Sequence, residues 1–335
     1  MKALFKILVV LMLAGSVFAG EHRIFKVNEV STFSIVARDP STGQMGIAVA
    51  SRYFSVGSVV PWAEANVGAI ATQADVNVGY GPKALELLRQ GLGAKEVIDK
   101  LLAEDKFPPT DGRQVAVVDA KGNIAAYTGP NAPNWAGDRQ GKNCSAQGNI
   151  LVGKQVPESM VRAFETTQGD LAEKLFAALK AGDDAGGDSR GKQSASMLVV
   201  GKGRGRNINN DRLIYINVDD SPAPIPELRR LLDINQGWLY QQWAGQLRSA
   251  GKTKEARDAA AKAAGYMPIA GAQLTLGMMD YELGDKAAAL ADFRKAIQMD
   301  PNVRKQFEGS APQGGRGQRL RAILEDKEFL KQVLQ

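Results

Sequence analysis

Helices in this chain are expected to arrive in pairs between runs of strand, and that ordering constrains the fold more than any other feature. Phe33 to Arg38 and Met45 to Ser51 are rich in β-formers and flank the turn cluster Asp39-Pro40-Ser41-Thr42-Gly43, a hairpin signal. Gly57 to Val60 and Val67 to Thr72 continue the β character. Pro82 suits the first turn of a helix that carries Ala84, Leu85, Leu87 and Leu88 on one stripe and stops at Gly91. A second helix is predicted over Ala94 to Glu104, with Pro108-Pro109 ending the region. Val115 to Asp119 and Ile124 to Tyr127 flank the turn Ala120 to Asn123. Pro130 to Asn143 reads as a long polar loop, and Gln147-Gly148-Asn149 as a glycine turn before Ile150. Helices follow over Glu158 to Thr166 and Leu171 to Ala181, then strands over Ser194 to Val200 and Leu213 to Val218. A short helix, Ile225 to Ile234, closes the part. Paired helices between antiparallel strands are not the single crossovers of a parallel sheet. They imply two sheets packed face to face with a helical layer outside each.

From Asn235 onward strand character disappears. Two segments match at a spacing of 33 residues: Gly251 with Gly284, Ala256 with Ala289, Ala260 with Phe293, Ala263 with Ala296 and Pro268 with Pro301. The second copy, from Leu276 to Pro301, resembles the tetratricopeptide repeat, in which small residues let two helices touch and a proline follows the second helix. That resemblance implies a small helical domain over 235–335, offering a concave surface to a peptide or protein or serving as structural support for the first domain or for a homo-oligomer.

The first nineteen residues have the form of a secretory signal. Lys2 and Lys6 precede an apolar run, Ile7 to Ala14, too short to span a bilayer, and Val17-Phe18-Ala19 offers small residues for cleavage. The expected product is an exported protein, periplasmic or extracellular, without stable membrane insertion, in which residues 20–31 form a leader. A net charge of +6 with no dense basic block argues against nucleic acid as a partner.

Absences narrow the chemistry. The 335 residues hold one histidine, His22, and one cysteine, Cys144. Ser-His-Asp and Cys-His catalysis need an imidazole beside the nucleophile, and zinc sites draw on several His or Cys ligands. Nothing in the chain calls for a metal or an organic cofactor, and Cys144 has no imidazole partner, so it reads as incidental. A hydrolase built from this sequence needs another base: a lysine, a carboxylate or an α-amine. Thr32, first residue of the opening strand, could combine hydroxyl and amine in one residue if the chain were cut before it. An α-amine has a pKa near ~8, so a useful fraction is unprotonated at neutral pH. Otherwise Thr32 only opens a strand, where threonine is common. Gln147 and Asn149 are candidate oxyanion donors or turn stabilisers. Asp188 with Arg190 suits either a buried ion pair or the grip of a substrate carboxylate, and Gln73 and Arg52 are further candidates for substrate binding.

Thr32 to Asp39, Gly46 to Arg52, Val59 to Trp62, Ala71 to Gln73, Gln147 to Asn149, Gly186 to Gly191 and Gln193 to Ala195 together resemble the family called domain of unknown function 1028, grouped with the N-terminal-nucleophile hydrolases. The resemblance runs from Thr32 to Ile234. It implies an α+β fold, a four-layer αββα sandwich over 32–234, and an amide hydrolase whose nucleophile is Thr32. Typical members expose this threonine by losing the initiator methionine, whereas here a second cut, between Ser31 and Thr32, is required. Proteasome β-subunits, of the same superfamily, carry an aspartate before the Ser-Arg pair that ends the matching strand; this chain has Ala50 before Ser51 and Arg52. The competing expectation is a non-catalytic exported protein that binds partners through its helical tail.

Overall fold

A computed structural model describes residues 29–30, 32–107, 110–309 and 315–335. The expected signal, residues 20–28 and Ser31 of the leader, His22 and the Pro108-Pro109 stop lie outside the described residues.

The fold is mixed α+β, with two antiparallel sheets and a C-terminal helical region. Its strands are β1 (Glu29–Val30), β2 (Thr32–Arg38), β3 (Met45–Ser51), β4 (Pro61–Glu64), β5 (Gly68–Asp75), β6 (Arg113–Asp119), β7 (Ile124–Thr128), β8 (Gly137–Gly141), β9 (Cys144–Asn149), β10 (Ser194–Val200) and β11 (Arg212–Val218). One sheet has the order β1-β5-β6-β7, with β4 also on β5; the other has the order β11-β10-β3-β2-β9-β8. Helices α1 (Tyr80–Arg89) and α2 (Ala94–Ala103) follow β5, and α3 (Gln155–Thr166) and α4 (Leu171–Asp184) follow β9.

Because successive side chains of a strand point to opposite faces, β2 and β3 serve two cores at once. Phe33, Ile35 and Ala37 pack with Met160, Leu175 and Leu179 of α3 and α4. Val36, Ile47 and Val49 point the other way, onto Ala69, Ala71, Ala116 and Val118 of the second sheet. A third cluster joins Ile70, Val115 and Val117 to Leu87, Val97 and Leu101 of α1 and α2. Burial on both faces explains why β3, Met-Gly-Ile-Ala-Val-Ala-Ser, reads as a continuous apolar run. Gly46 is needed within it, since a Cβ there would lie 2.8 Å from the Leu198 carbonyl oxygen.

Several expectations are corrected. Gly57 lies in a 3-10 turn, Val56–Ser58, and not in a strand. The polar loop after Pro130 contains β8, whose exposed Asp138, Arg139 and Gln140 hide its strand nature in the sequence. Gln147-Gly148-Asn149 lies within β9 and not in a turn; the reversal comes at Ile150, with φ of 50°. The helix expected over Ile225 to Ile234 is the first part of α5 (Pro224–Ser249), a helix of 26 residues. Leu228, Leu232 and Leu239 belong to the core beneath the six-stranded sheet, while Tyr240 and Ala244 pack on α6 (Thr253–Tyr266). One rod is thus shared by the two cores, and Asp170, at the start of α4, accepts hydrogen bonds from Gln236 and Tyr240 along it.

Helices α7 (Ala270–Glu282) and α8 (Lys286–Met299) follow, then α9 (Arg304–Glu308), α10 (Gly315–Glu325) and α11 (Lys327–Leu334). The matched positions of the two segments take matched structural places. Gly251 and Gly284 each turn the chain with positive φ, 77° and 84°, after a helix. Ala256 and Ala289, Ala260 and Phe293, and Ala263 and Ala296 are all buried. Phe293 packs against Gly277, where a Cβ would approach its ring to 2.7 Å. No described helix is long and apolar enough to cross a membrane.

Two polar clusters give tests of this packing. Arg113 and Asp105, with side chains 5% and 0% exposed, form an ion pair of 3.0 Å. Burial opposes the Asp105 charge, but hydrogen bonds from Tyr80, the Phe107 amide and Arg113 outweigh it and hold the carboxyl below its ordinary range. Arg113→Met leaves that carboxylate buried without its cation and is expected to cost about 3–5 kcal/mol in urea unfolding. Because the folded carboxyl is the stronger acid, the stabilisation is present above the ordinary carboxylate range and is lost as pH falls through it. In the tail, burial and the adjoining Asp280 carboxylate push Asp292 up to about 6. The folded state therefore holds this proton more tightly than the unfolded chain, so the contribution is complete below pH ~4 and fades as pH rises through about 6. The tail should melt at a higher temperature at pH 5 than at pH 7.5, and Asp292→Asn should flatten that difference.

Candidate active site

Thr32, Ser34 and Val36 share one face of β2, toward the opposite sheet. So do Ser51 with Val49 and Ile47 on β3, Gln73 with Ala71 on β5, Gln114 with Ala116 on β6, and Ser145, Gln147 and Asn149 on β9. The layer between the sheets is therefore apolar at one end and hydroxyl-and-amide at the other. The polar end is closed to bulk solvent: Thr32, Ser34, Gln73, Gln114, Ser145, Gln147 and Asn149 are all 0% exposed.

Register brings these residues together. Thr32 sits opposite Ser51 on one side and Asn149 on the other, and Ser34 sits opposite Gln147. The Thr32 hydroxyl donates to the Ser51 hydroxyl at 3.3 Å. Gln147 Nε2 donates to Ser34 Oγ at 2.6 Å, and Ser34 Oγ donates to Gln73 Oε1 at 2.7 Å. Gln73 Nε2 reaches Gln114 Oε1 at 2.8 Å and the Thr32 carbonyl oxygen at 3.4 Å. Asn149 Nδ2 donates to Gln114 Oε1 at 3.1 Å. Gln114 Nε2 in turn donates to Thr128 Oγ1 and to the Gly148 carbonyl, both at 2.9 Å. A buried amide costs several kcal/mol if unpaired, so this network fixes the spacing and register of the two sheets.

Four expected residues, Thr32, Gln73, Gln147 and Asn149, thus belong to one cluster. Asn149 is directly beside Thr32, while Gln147 is two register pairs further along; each has an amide N–H committed, Asn149 to Gln114 and Gln147 to Ser34. The other three form a clamp at the same end. Asp188 accepts from the backbone amides of Arg52 at 3.0 Å and Arg190 at 2.9 Å, and from the Arg190 guanidinium at 3.2 and 3.0 Å. Its side chain is 1% exposed against 38% for Arg190. Asp188 therefore ties the end of β3 to the loop after α4, and the exposed Arg52 and Arg190 are the members that can meet a ligand.

Gln114, the most connected amide, was missed because the strand expected from Val115 actually begins at Arg113. A glutamine beside a run of valines, in phase with Ala116 and Val118, was the available signal. Ser34 and Ser51 follow from the same phase. Cys144 lies on the opposite face of β9, in the helix-side core, where burial and then the charge of Glu165 push its thiol up to about 12, so it remains protonated.

The side chains of the cluster are hydroxyls and amides, so none supplies a base near neutral pH. Thr32 itself stands where the chain passes between sheets: Val30 pairs with Ala74 of β5, and Thr32 opens β2 of the other sheet. A cavity of about 650 Å³, lined by Gly203, Arg204, Tyr240, Trp243 and Lys252 among others, shares no residue with the cluster. With Thr32 fully buried, an open cleft is not the mark by which this site is recognised.

Residues 32–228 match the family of unknown function DUF1028. Among solved structures, the crystal structure of protein SPO2555 from Silicibacter pomeroyi, described with the same family, is 31% identical, with a TM-score of 0.55 over 60% of this chain and 88% of that one. No curated protein matches. The family match covers more than half of the chain, and the protein belongs to DUF1028.

Proposed function

We propose that this chain is the precursor of an exported amide hydrolase of the N-terminal-nucleophile type, with an αββα sandwich as its catalytic domain and a tetratricopeptide-like tail. The observation that carries this reading is the position of Thr32. It is the first residue of a central strand, its hydroxyl lies among amide and hydroxyl groups at the buried polar end of the intersheet layer, and the preceding residues pair with the other sheet.

A cut between Ser31 and Thr32 supplies what the cluster lacks. In an autocatalytic cut, Thr32 Oγ1 attacks the Ser31 carbonyl carbon and the C–N bond breaks. The Thr32 nitrogen leaves as an amine, taking a proton, and water hydrolyses the ester left on Oγ1. The new α-amine is the base for later turnovers: it takes the Thr32 hydroxyl proton as Oγ1 attacks a substrate amide and gives it to the leaving amine, after which water, deprotonated by the same amine, hydrolyses the ester on Oγ1, releasing the acid and restoring the hydroxyl. Asn149, directly opposite Thr32, is the nearer donor for the oxyanion; such a donor is worth roughly 3 kcal/mol in the transition state. Gln147, Gln73 and Gln114 hold Asn149 and Thr32 in place. Arg52 and Arg190, around Asp188, lie at the rim, where they suit a substrate's polar end. The helical tail offers a surface for a peptide or protein partner.

The uncut arrangement also suits the second reading, a non-catalytic binding protein, since Thr32 is buried with its nitrogen in a peptide bond. Variants separate the two. Thr32→Ala is expected to accumulate as uncut precursor and Thr32→Ser to process more slowly, both followed by mass spectrometry of protein purified without added protease. If Thr32→Ala is trimmed at wild-type rate, self-cutting is wrong; if a processed chain and its Thr32→Ala counterpart are equally inert toward a library of amides, the hydrolase reading falls.

A further inference from the structure

The leader contributes the two-residue strand β1, and its pairing marks an edge with an unused purpose. Glu29 lies opposite Asp75 and Val30 opposite Ala74, antiparallel, on the outer edge of β5. Further along that edge, β4 pairs only from Gly68 to Ala71. Beyond it, Thr72 donates its amide to the Val60 carbonyl at 3.2 Å. Gln73 then turns its side chain inward to the Thr32 carbonyl. The β5 residues that follow, Ala74 and Asp75, hold the chain that runs into Thr32.

This part of the edge is built rigidly. Ala74 adopts φ of 64°, a left-handed conformation that costs a residue with a Cβ and persists only when its surroundings enforce it. The Asp75 amide donates to the Gly112 carbonyl at 3.1 Å, and its carbonyl accepts from the Arg113 guanidinium. Arg113 is itself held by the buried Asp105. Gly112 lets the Asp75 side chain lie close against the backbone there, since a Cβ would come within 2.2 Å of its carboxylate. In contrast, β1 itself has only two paired residues, and a strand contact that short is weak once its covalent link to β2 is gone.

We infer that the β5 edge at Ala74, the residue opposite Val30, is a subsite for the acyl side of an extended peptide, and that the leader fills it in the uncut chain. The inference rests on the hydrolase reading for its catalytic meaning and deepens it. Residues before Ser31 stand on the acyl side of the bond at Thr32, so a substrate in the same track presents its carbonyl carbon to Thr32 Oγ1. Recognition by backbone pairing selects peptides extended by at least two residues before the scissile bond, with broad tolerance of side chains. Small amides and side-chain amides lack the second residue, equivalent to Val30, that would pair.

The probe is a fluorescein-labelled peptide of residues Ile24 to Ser31, with a second version N-methylated at the residue equivalent to Val30. Binding is read by anisotropy on the chain carrying Val30→Pro with Thr32→Ala, in which proline removes a backbone donor from β1 and no cut occurs. The unmethylated peptide is expected to bind at least tenfold more tightly than the methylated one, and at least tenfold more tightly than it binds the Thr32→Ala chain with an intact leader. A processed chain beginning at Thr32 should show the same discrimination, which covers the case in which Val30→Pro disturbs folding. Equal affinity for the two peptides overturns the subsite. Because binding needs no turnover, a peptide that binds but is never cut by the processed chain sinks only the hydrolase reading; cutting of small amides without peptide discrimination sinks only the subsite.

Discussion

Everything at the candidate site depends on the layer between the two sheets changing from apolar to polar along its length. The alternation of side chains in β2, β3, β5, β6 and β9 forces every second residue into that layer. At one end these are Val36, Ile47, Ala71 and Ala116; at the other they are Thr32, Gln73, Gln114 and Asn149. A buried amide cannot be left without partners, so Gln73 and Gln114 bond each other across β5 and β6 while reaching back to the six-stranded sheet. The same bonds fix where Thr32 stands. Structure and chemistry meet in one network, and removing any of its amides would alter both.

Much of this was legible in the sequence because the strands that matter are short and bounded. β3 begins and ends where its composition says, and β2 differs by one residue, because a turn cluster lies between them and both are buried on two faces. The near-absence of histidine directed attention to Thr32. Gln73, Gln147 and Asn149 were visible as polar residues in unusual company, although Gln147 and Asn149 looked like parts of a turn because a glycine separates them. The glycine is needed for packing instead: a Cβ on Gly148 would lie 2.5 Å from Leu151 and 2.9 Å from the Thr32 carbonyl oxygen. Gln114 and β8 were not legible, since one looked like the residue before a strand and the other like a charged loop. The length of α5 was hidden for a related reason. Its apolar face changes partner midway, from the sheet to α6, so its periodicity is broken where the helix is not.

The chain's passage from β1 to β2 links the leader to this network. The pairing of β1 on β5 precedes the first residue of the other sheet, and on the proposed reading the leader and the site share one track. The Asp105–Arg113 pair, distant in purpose from catalysis, holds the outer end of that track by binding the Asp75 carbonyl. The helical region is joined to the same fold through α5, with Asp170 binding Gln236 and Tyr240 along its length. Helix α4 in turn lies directly against β2 and β3.

The central claim is that Thr32 becomes a chain terminus, and the intact mass of the protein recovered from the cell envelope tests it most directly. The account predicts a mature chain of residues 32–335, with Thr32 first. A mature chain that begins at Gly20, or anywhere else before Thr32, would contradict it, because the amine on which the mechanism depends would remain locked in a peptide bond.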